Sequence, residues 1–260
     1  MLEAMVVSRA IGFALVFARI AGFVLVSPFP GQNVSTTQRT GLVVVLAWIA
    51  SLDAPIAHAP GQLLLSLAFA VANEAGCGLV MGCAFRFLYV AAEFLGQVVS
   101  QSIGLSMASV LNPATRSQDV ALTRIVTLMA ELLALAAGVH RIALSYLLHS
   151  FHALPVGSSL LLPASFHLLV DLAIRSMTVG LELGMPVVAV SLVVHIALAI
   201  IARAAPALQI LHVGLSLVLA TGFVTLLTTM PDIGHGIVAH YTSLARTLDQ
   251  IITAISAPAR

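Results

Sequence analysis

The sequence predicts an all-α integral membrane protein built from several helices, some of them broken or kinked. Three observations carry that expectation. Of 260 residues, 60% are hydrophobic and 8% charged, against roughly 25% charged in a soluble domain. Mean hydropathy is +1.09. Apolar blocks recur near the ~20-residue length that a spanning helix needs, punctuated by Pro, Gly and Asn.

Composition also excludes several functions. A net charge of +1 gives no electrostatic case for a nucleic-acid partner. All basic residues are Arg, which suits groups that must stay charged at membrane depth. Cys77 and Cys83 lie six apart in an apolar region, on roughly opposite helix faces. They read as inert buried thiols rather than a disulfide or a metal site. The N-terminus lacks a basic region before a short apolar core, so the first block reads as a retained membrane segment.

The first block covers residues 10–29, with Arg19 in its middle. An Arg facing lipid there costs roughly 2.5 kcal/mol or more, so Arg19 must face protein or water, with a carboxylate as partner. Pro28 and Pro30 end this block, and residues 31–39 form a polar loop. The second block, 41–52, is short. The third, 63–99, is too long for one straight span and contains Asn73, Glu74, Gly76, Gly78, Gly82, Arg86 and Glu93. It reads as a broken helix or a tight hairpin near residues 73–78. Gly78 and Gly82 form a G-x-x-x-G pair, which lets helices approach closely.

Residues 93–113 then change character. Glu93, Gln97 and Gln101 are spaced i, i+4, i+8 and line one helical face. Beyond them Ser102, Gly104, Ser106 and Ser109 alternate with Ile103, Leu105, Met107 and Val110, and Asn112-Pro113 closes the run. Irregular backbone at membrane depth is tolerated only when protein buries it or it lines a water-filled path. The segment therefore sits at a conduit, or it is an ordinary loop between two helices.

A helix over 120–148 follows, with Glu131 and Arg141, then a loop over 150–167. The run 168–202 holds Asp171, Arg175, Glu182, a second G-x-x-x-G at Gly180 and Gly184, and Pro186, which kinks or divides it. After Arg203-Ala-Ala-Pro206, residues 207–228 form the last strong block. The tail carries apolar residues at helical spacing and reads as a surface or interface helix. The Arg distribution weighs toward an N-terminus outside the cytoplasm. The charges inside apolar blocks fit two readings: a proton or ion relay through Glu93, Glu131 and Glu182 in a secondary transporter, or groups pairing across helices and subunits. His149 and His152 lie i, i+3 at a helix end, without any recognised hydrolase or metal motif.

Four segments together resemble the FliR family of flagellar export-gate proteins, with SctT as the injectisome counterpart. They are Phe17-Ala-Arg-Ile-Ala-Gly-Phe-Val-Leu-Val-Ser-Pro-Phe29; residues 92–113; Gly138-Val-His140 through Pro155-Val-Gly157; and Ala202-Arg-Ala-Ala-Pro206 with Gly214. Asn112, Gln209 and Leu211 depart from the family's usual residues. Gln97 with Gln101 looks flagellar rather than injectisome.

The resemblance implies a single export-gate domain over 1–260, with a main helical body 1–228 and a C-terminal amphipathic helix 232–257. It implies one copy assembled with FliP and FliQ homologues into a helical, closed gate in the bacterial inner membrane at the flagellar basal body. FlhB and FlhA homologues and unfolded export substrates are further partners. The stretch Gly104, Leu105, Ser106, Met107, Ala108, Ser109 to Asn112 and Pro113 corresponds to the family's plug. Arg19, Gly22, Pro28, Glu93, Gly96, Gln97, Gln101, Arg203 and Pro206 correspond to its motif and helix-packing positions. No catalytic residue, cofactor or metal is implied.

Overall fold

The computed structural model describes residues 2–28, 34–52, 54–55, 64–104, 121–157, 162–204 and 210–243. Among them are seven helices and no strand: α1 (Leu2–Val26), α2 (Thr36–Ser51), α3 (Leu64–Ser102), α4 (Ala121–Ala136), α5 (Val139–Ala153), α6 (Leu162–Ala204) and α7 (Ile210–Thr242). Four of these, α1, α3, α6 and α7, are long and apolar enough to cross a membrane. Helix α3 has 39 residues and α6 has 43. At 1.5 Å per residue they run about 59 and 65 Å, twice the ~30 Å hydrocarbon core.

Four helix boundaries differ from the sequence expectation, each for a local reason. Helix α2 begins at Thr36, inside the expected polar loop. Ser35 Oγ accepts the Gln38 amide at 3.4 Å and Gln38 Oε1 accepts the Ser35 amide at 3.4 Å. This capping box satisfies two donors that a helix start otherwise leaves open.

Helix α3 has no break near residues 73–78. Its glycines there are packing surface. A Cβ built on Gly78 would collide with the Arg19 carbonyl, and one on Gly82 would lie 2.6 Å from the Phe23 carbonyl oxygen. Gly22 of α1 faces the Ala75 backbone in return. The two helices thus touch backbone to backbone, as small-residue seams permit.

The expected helix over 120–148 is instead two, because Gly138 takes φ +74°. That left-handed conformation costs other residues about 1–2 kcal/mol and glycine almost nothing. Helix α7 continues through Pro231, where the sequence suggests an end at 228 and a new helix from 232. A proline removes one helical amide donor, which membrane helices accommodate more readily than soluble ones. Residues 244–257 of the expected C-terminal helix lie outside the described residues. Pro186 likewise sits inside an uninterrupted α6.

The chain groups into two compact units, where the sequence reading takes 1–260 as one domain. One comprises residues 1–87, 138–173 and 243–260; the other comprises 88–137 and 174–242. In the first, Leu15, Ile20 and Phe23 of α1 and Met81, Ala84 and Phe85 of α3 are fully or almost fully buried. Phe23 meets Phe85 edge to face at 5.6 Å. In the second, the second G-x-x-x-G also turns inward: Gly180 faces the Ala91 backbone and Gly184 faces the Leu95 side chain. Tyr241 is buried there, its hydroxyl donating to the Ala130 carbonyl at 3.3 Å, and Ser176 bonds His240 Nε2 at 3.2 Å.

The α1–α3 seam gives a direct test. Gly78→Val should destabilise by roughly 1–3 kcal/mol or more, because backbone cannot move aside as a side chain can. Gly41→Ala, whose Cβ meets nothing within 4 Å, should be neutral or slightly stabilising. Thermal melts of the detergent-solubilised chain measure both, and equal melting of the two variants would contradict the seam.

Candidate functional site

Two constellations stand out, one in each unit. The first surrounds Arg19, which is 0% exposed in the middle of α1. Its Nε donates to Glu74 Oε2 of α3 at 2.6 Å. Nη1 donates to the Ser150 carbonyl at 3.0 Å and reaches Ser150 Oγ at 3.4 Å. Nη2 donates to the Leu154 carbonyl at 3.0 Å. The guanidinium carbon lies 4.6 Å from the centre of the Phe151 ring, a cation–π distance.

Glu74 uses its second oxygen as well: Oε1 accepts the Gly157 amide at 2.9 Å. Close by in sequence, the Val156 amide donates to the Pro55 carbonyl at 3.0 Å. One buried ion pair therefore ties α1, α3, the end of α5 and the turn after it. All three guanidinium nitrogens are engaged, so this pair is built to hold helices in place. A buried pair survives only when hydrogen bonds satisfy both partners, as they do here.

The second constellation is the end of α3. Glu93 is half-buried, and Gln97 and Gln101 are exposed on one face. Ala92, Leu95, Gly96, Val99, Ser100 and Ile103 are buried on the other. Gly96 brings the backbone against Thr123 of α4, whose hydroxyl lies 3.3 Å from Ser100 Oγ. Ser102 Oγ donates back to the Val98 carbonyl at 2.7 Å. The helix then closes in a tight turn: the Gly104 amide donates to the Gln101 carbonyl at 3.2 Å, and Gly104 takes φ +82°. A Cβ on Gly222 of α7 would collide with Ile103, so Ile103 seats in the notch this glycine leaves. The described residues up to Gly104 thus form a packed helix end with an exposed amide stripe beside it.

Leu105, Ser106, Met107, Ala108, Ser109, Asn112 and Pro113 lie outside the described residues, as does Pro206. Pro28 follows α1 half-buried, and Arg203 is exposed in the last turn of α6. The sequence reading did not single out Glu74 from the other intramembrane carboxylates as the partner of Arg19. It also missed the Ser150, Leu154 and Gly157 backbone contacts, Thr123 and Gly222. The signal for the first was the unpaired demand of Arg19 itself. Backbone acceptors leave no signal in side-chain identity.

The comparison with known families fits this picture. A family model described as bacterial export proteins, family 1, matches residues 10–244. The chain belongs to this family. Among its relatives is the flagellar biosynthetic protein FliR of Bacillus subtilis (strain 168), 30% identical over 224 residues, 84% of this chain and 85% of the relative. FliR of Escherichia coli (strain K12) is 27% identical over 214 residues, 82% of each chain. FliR of Caulobacter vibrioides is 26% identical over 244 residues, 92% of this chain and 95% of the relative. With four apolar helices of spanning length, this member of the bacterial export proteins is a membrane protein of flagellar export.

In this export-family chain, Arg19→Leu strands the Glu74 carboxylate in an apolar interior. Breaking such a pair from one side costs roughly 3–5 kcal/mol. Replacing both residues with Leu should recover part of that loss, and a double-mutant cycle on detergent melts measures the coupling. Single variants as stable as the parent would contradict the pair as drawn.

Proposed function

We propose that this chain is a non-enzymatic subunit of the flagellar type III protein export gate. It sits in the inner membrane at the basal body and forms, with FliP and FliQ homologues, the pore through which unfolded flagellar proteins leave. Residues 104–112 serve as its plug, and FlhB and FlhA homologues are neighbours.

The supporting observation is where helix α6 carries its charges. An apolar 18-residue stretch within α6 is only 11% buried, against 56% of the corresponding stretch within α3. Asp171, Arg175 and Glu182 are exposed on it among exposed Ile174, Met177, Leu181 and Met185. Each charge at mid-bilayer costs about 2.5–3.5 kcal/mol against lipid. A surface that is apolar enough to avoid water and charged enough to avoid lipid fits neighbouring subunits.

A tagged copy expressed in its own cell should bring down two further small multi-spanning membrane proteins in detergent. Isolation as a lone chain that moves protons or solutes in liposomes would favour a secondary transporter instead. Removing residues 105–109 should leave that complex intact and raise ion leak across the membrane several-fold. An assembled complex whose leak is unchanged would count against the plug.

A further inference from the structure

The first half of α1 and the end of α2 enclose a groove of about 600 Å³. Phe13 and Val16 line it from α1, Trp48, Ser51 and Leu52 from the other side, and Arg9 joins them at the start of α1's apolar window. Phe13 and Trp48 meet edge to face at 6.4 Å, which sets the end of α2 beside the beginning of that window. Trp48, the chain's single tryptophan, is 65% exposed.

These features suit one membrane depth. Tryptophan concentrates where headgroups meet hydrocarbon, and Arg at the end of a span places its guanidinium among phosphates. The volume lies within the range of ligand sites, 300–1,000 Å³ by rough survey. Its walls are aromatic and aliphatic, with one cationic fork that matches a phosphate's oxygens. The charges on α6 lie within the apolar run, whereas Arg9 lies at its boundary, where lipid satisfies a cation.

We propose that this groove binds an anionic phospholipid, with an acyl chain over Phe13, Val16 and Trp48 and the headgroup phosphate at Arg9. The assignment does not depend on the export-gate reading.

The single tryptophan makes it measurable. The full chain, with whatever subunits accompany it, is placed in nanodiscs, and a Trp48→Phe variant supplies the background emission. Phospholipids brominated on their acyl chains quench tryptophan on contact. Half-quenching should need about fivefold less brominated phosphatidylglycerol than brominated phosphatidylcholine, the preference one Arg gives toward anionic lipid. Arg9→Gln should abolish that preference and Arg9→Lys should retain it. Glycerol phosphate at millimolar concentration should not relieve the quenching. Emission untouched by either lipid would mean that protein covers the groove and would overturn the proposal. Equal quenching by both lipids, or relief by glycerol phosphate, would overturn it too.

Discussion

A guanidinium with no access to water, in the middle of an apolar helix, is the constraint on which the first unit depends. Removing such a charge from water costs several kcal/mol, and only well-placed acceptors offset it. Arg19 finds them in Glu74 and in the Ser150 and Leu154 carbonyls. That geometry requires α1 and α3 to lie close, which Gly22, Gly78 and Gly82 allow. A bulkier seam would push the carboxylate out of reach. Because Glu74 also holds the Gly157 amide, the same pair fixes the turn after α5. Charge, helix spacing and chain path are therefore one solution rather than three.

Much of this was legible in the residues and some was not. The apolar blocks, the demand of Arg19 for a partner and the close-packing role of the G-x-x-x-G pairs follow from composition and spacing. The choice of Glu74 does not, because any intramembrane carboxylate meets the chemical requirement. Glycines misled twice in opposite directions. The polar and glycine-containing stretch 73–78 suggests a break, yet α3 runs through it and Gly78 packs the α1–α3 seam, whereas Gly138 reads as helix interior and is the break. Side-chain identity does not separate these cases; what lies against the glycine does. Pro231 misled for a related reason, since an apolar surrounding favours continued helix over an exposed end. The start of α2 was readable in Ser35 and Gln38, and the polar look of the loop hid it.

The stem of the 104–112 segment shows how sequence and structure divide the work. Spacing alone places Glu93, Gln97 and Gln101 on one face of α3. Burial shows that the opposite face is a packed core, with Gly96 on Thr123 and Ile103 seated at Gly222. An amide stripe is thereby held outward right up to a glycine turn. Amides donate and accept hydrogen bonds without carrying charge, the chemistry that the proposed export path would ask of its lining. The exposed charges of α6 fit the same reading, because they ask for protein or water as neighbours.

That request is also the central claim in its barest form: the apolar but charged surface of α6 is covered by other subunits. Its most direct measurement is photo-crosslinking in living cells, with benzoylphenylalanine in place of exposed Met185 or Leu192. The account predicts crosslinks from these positions to other small membrane proteins. Adducts to lipid alone from both positions would contradict it.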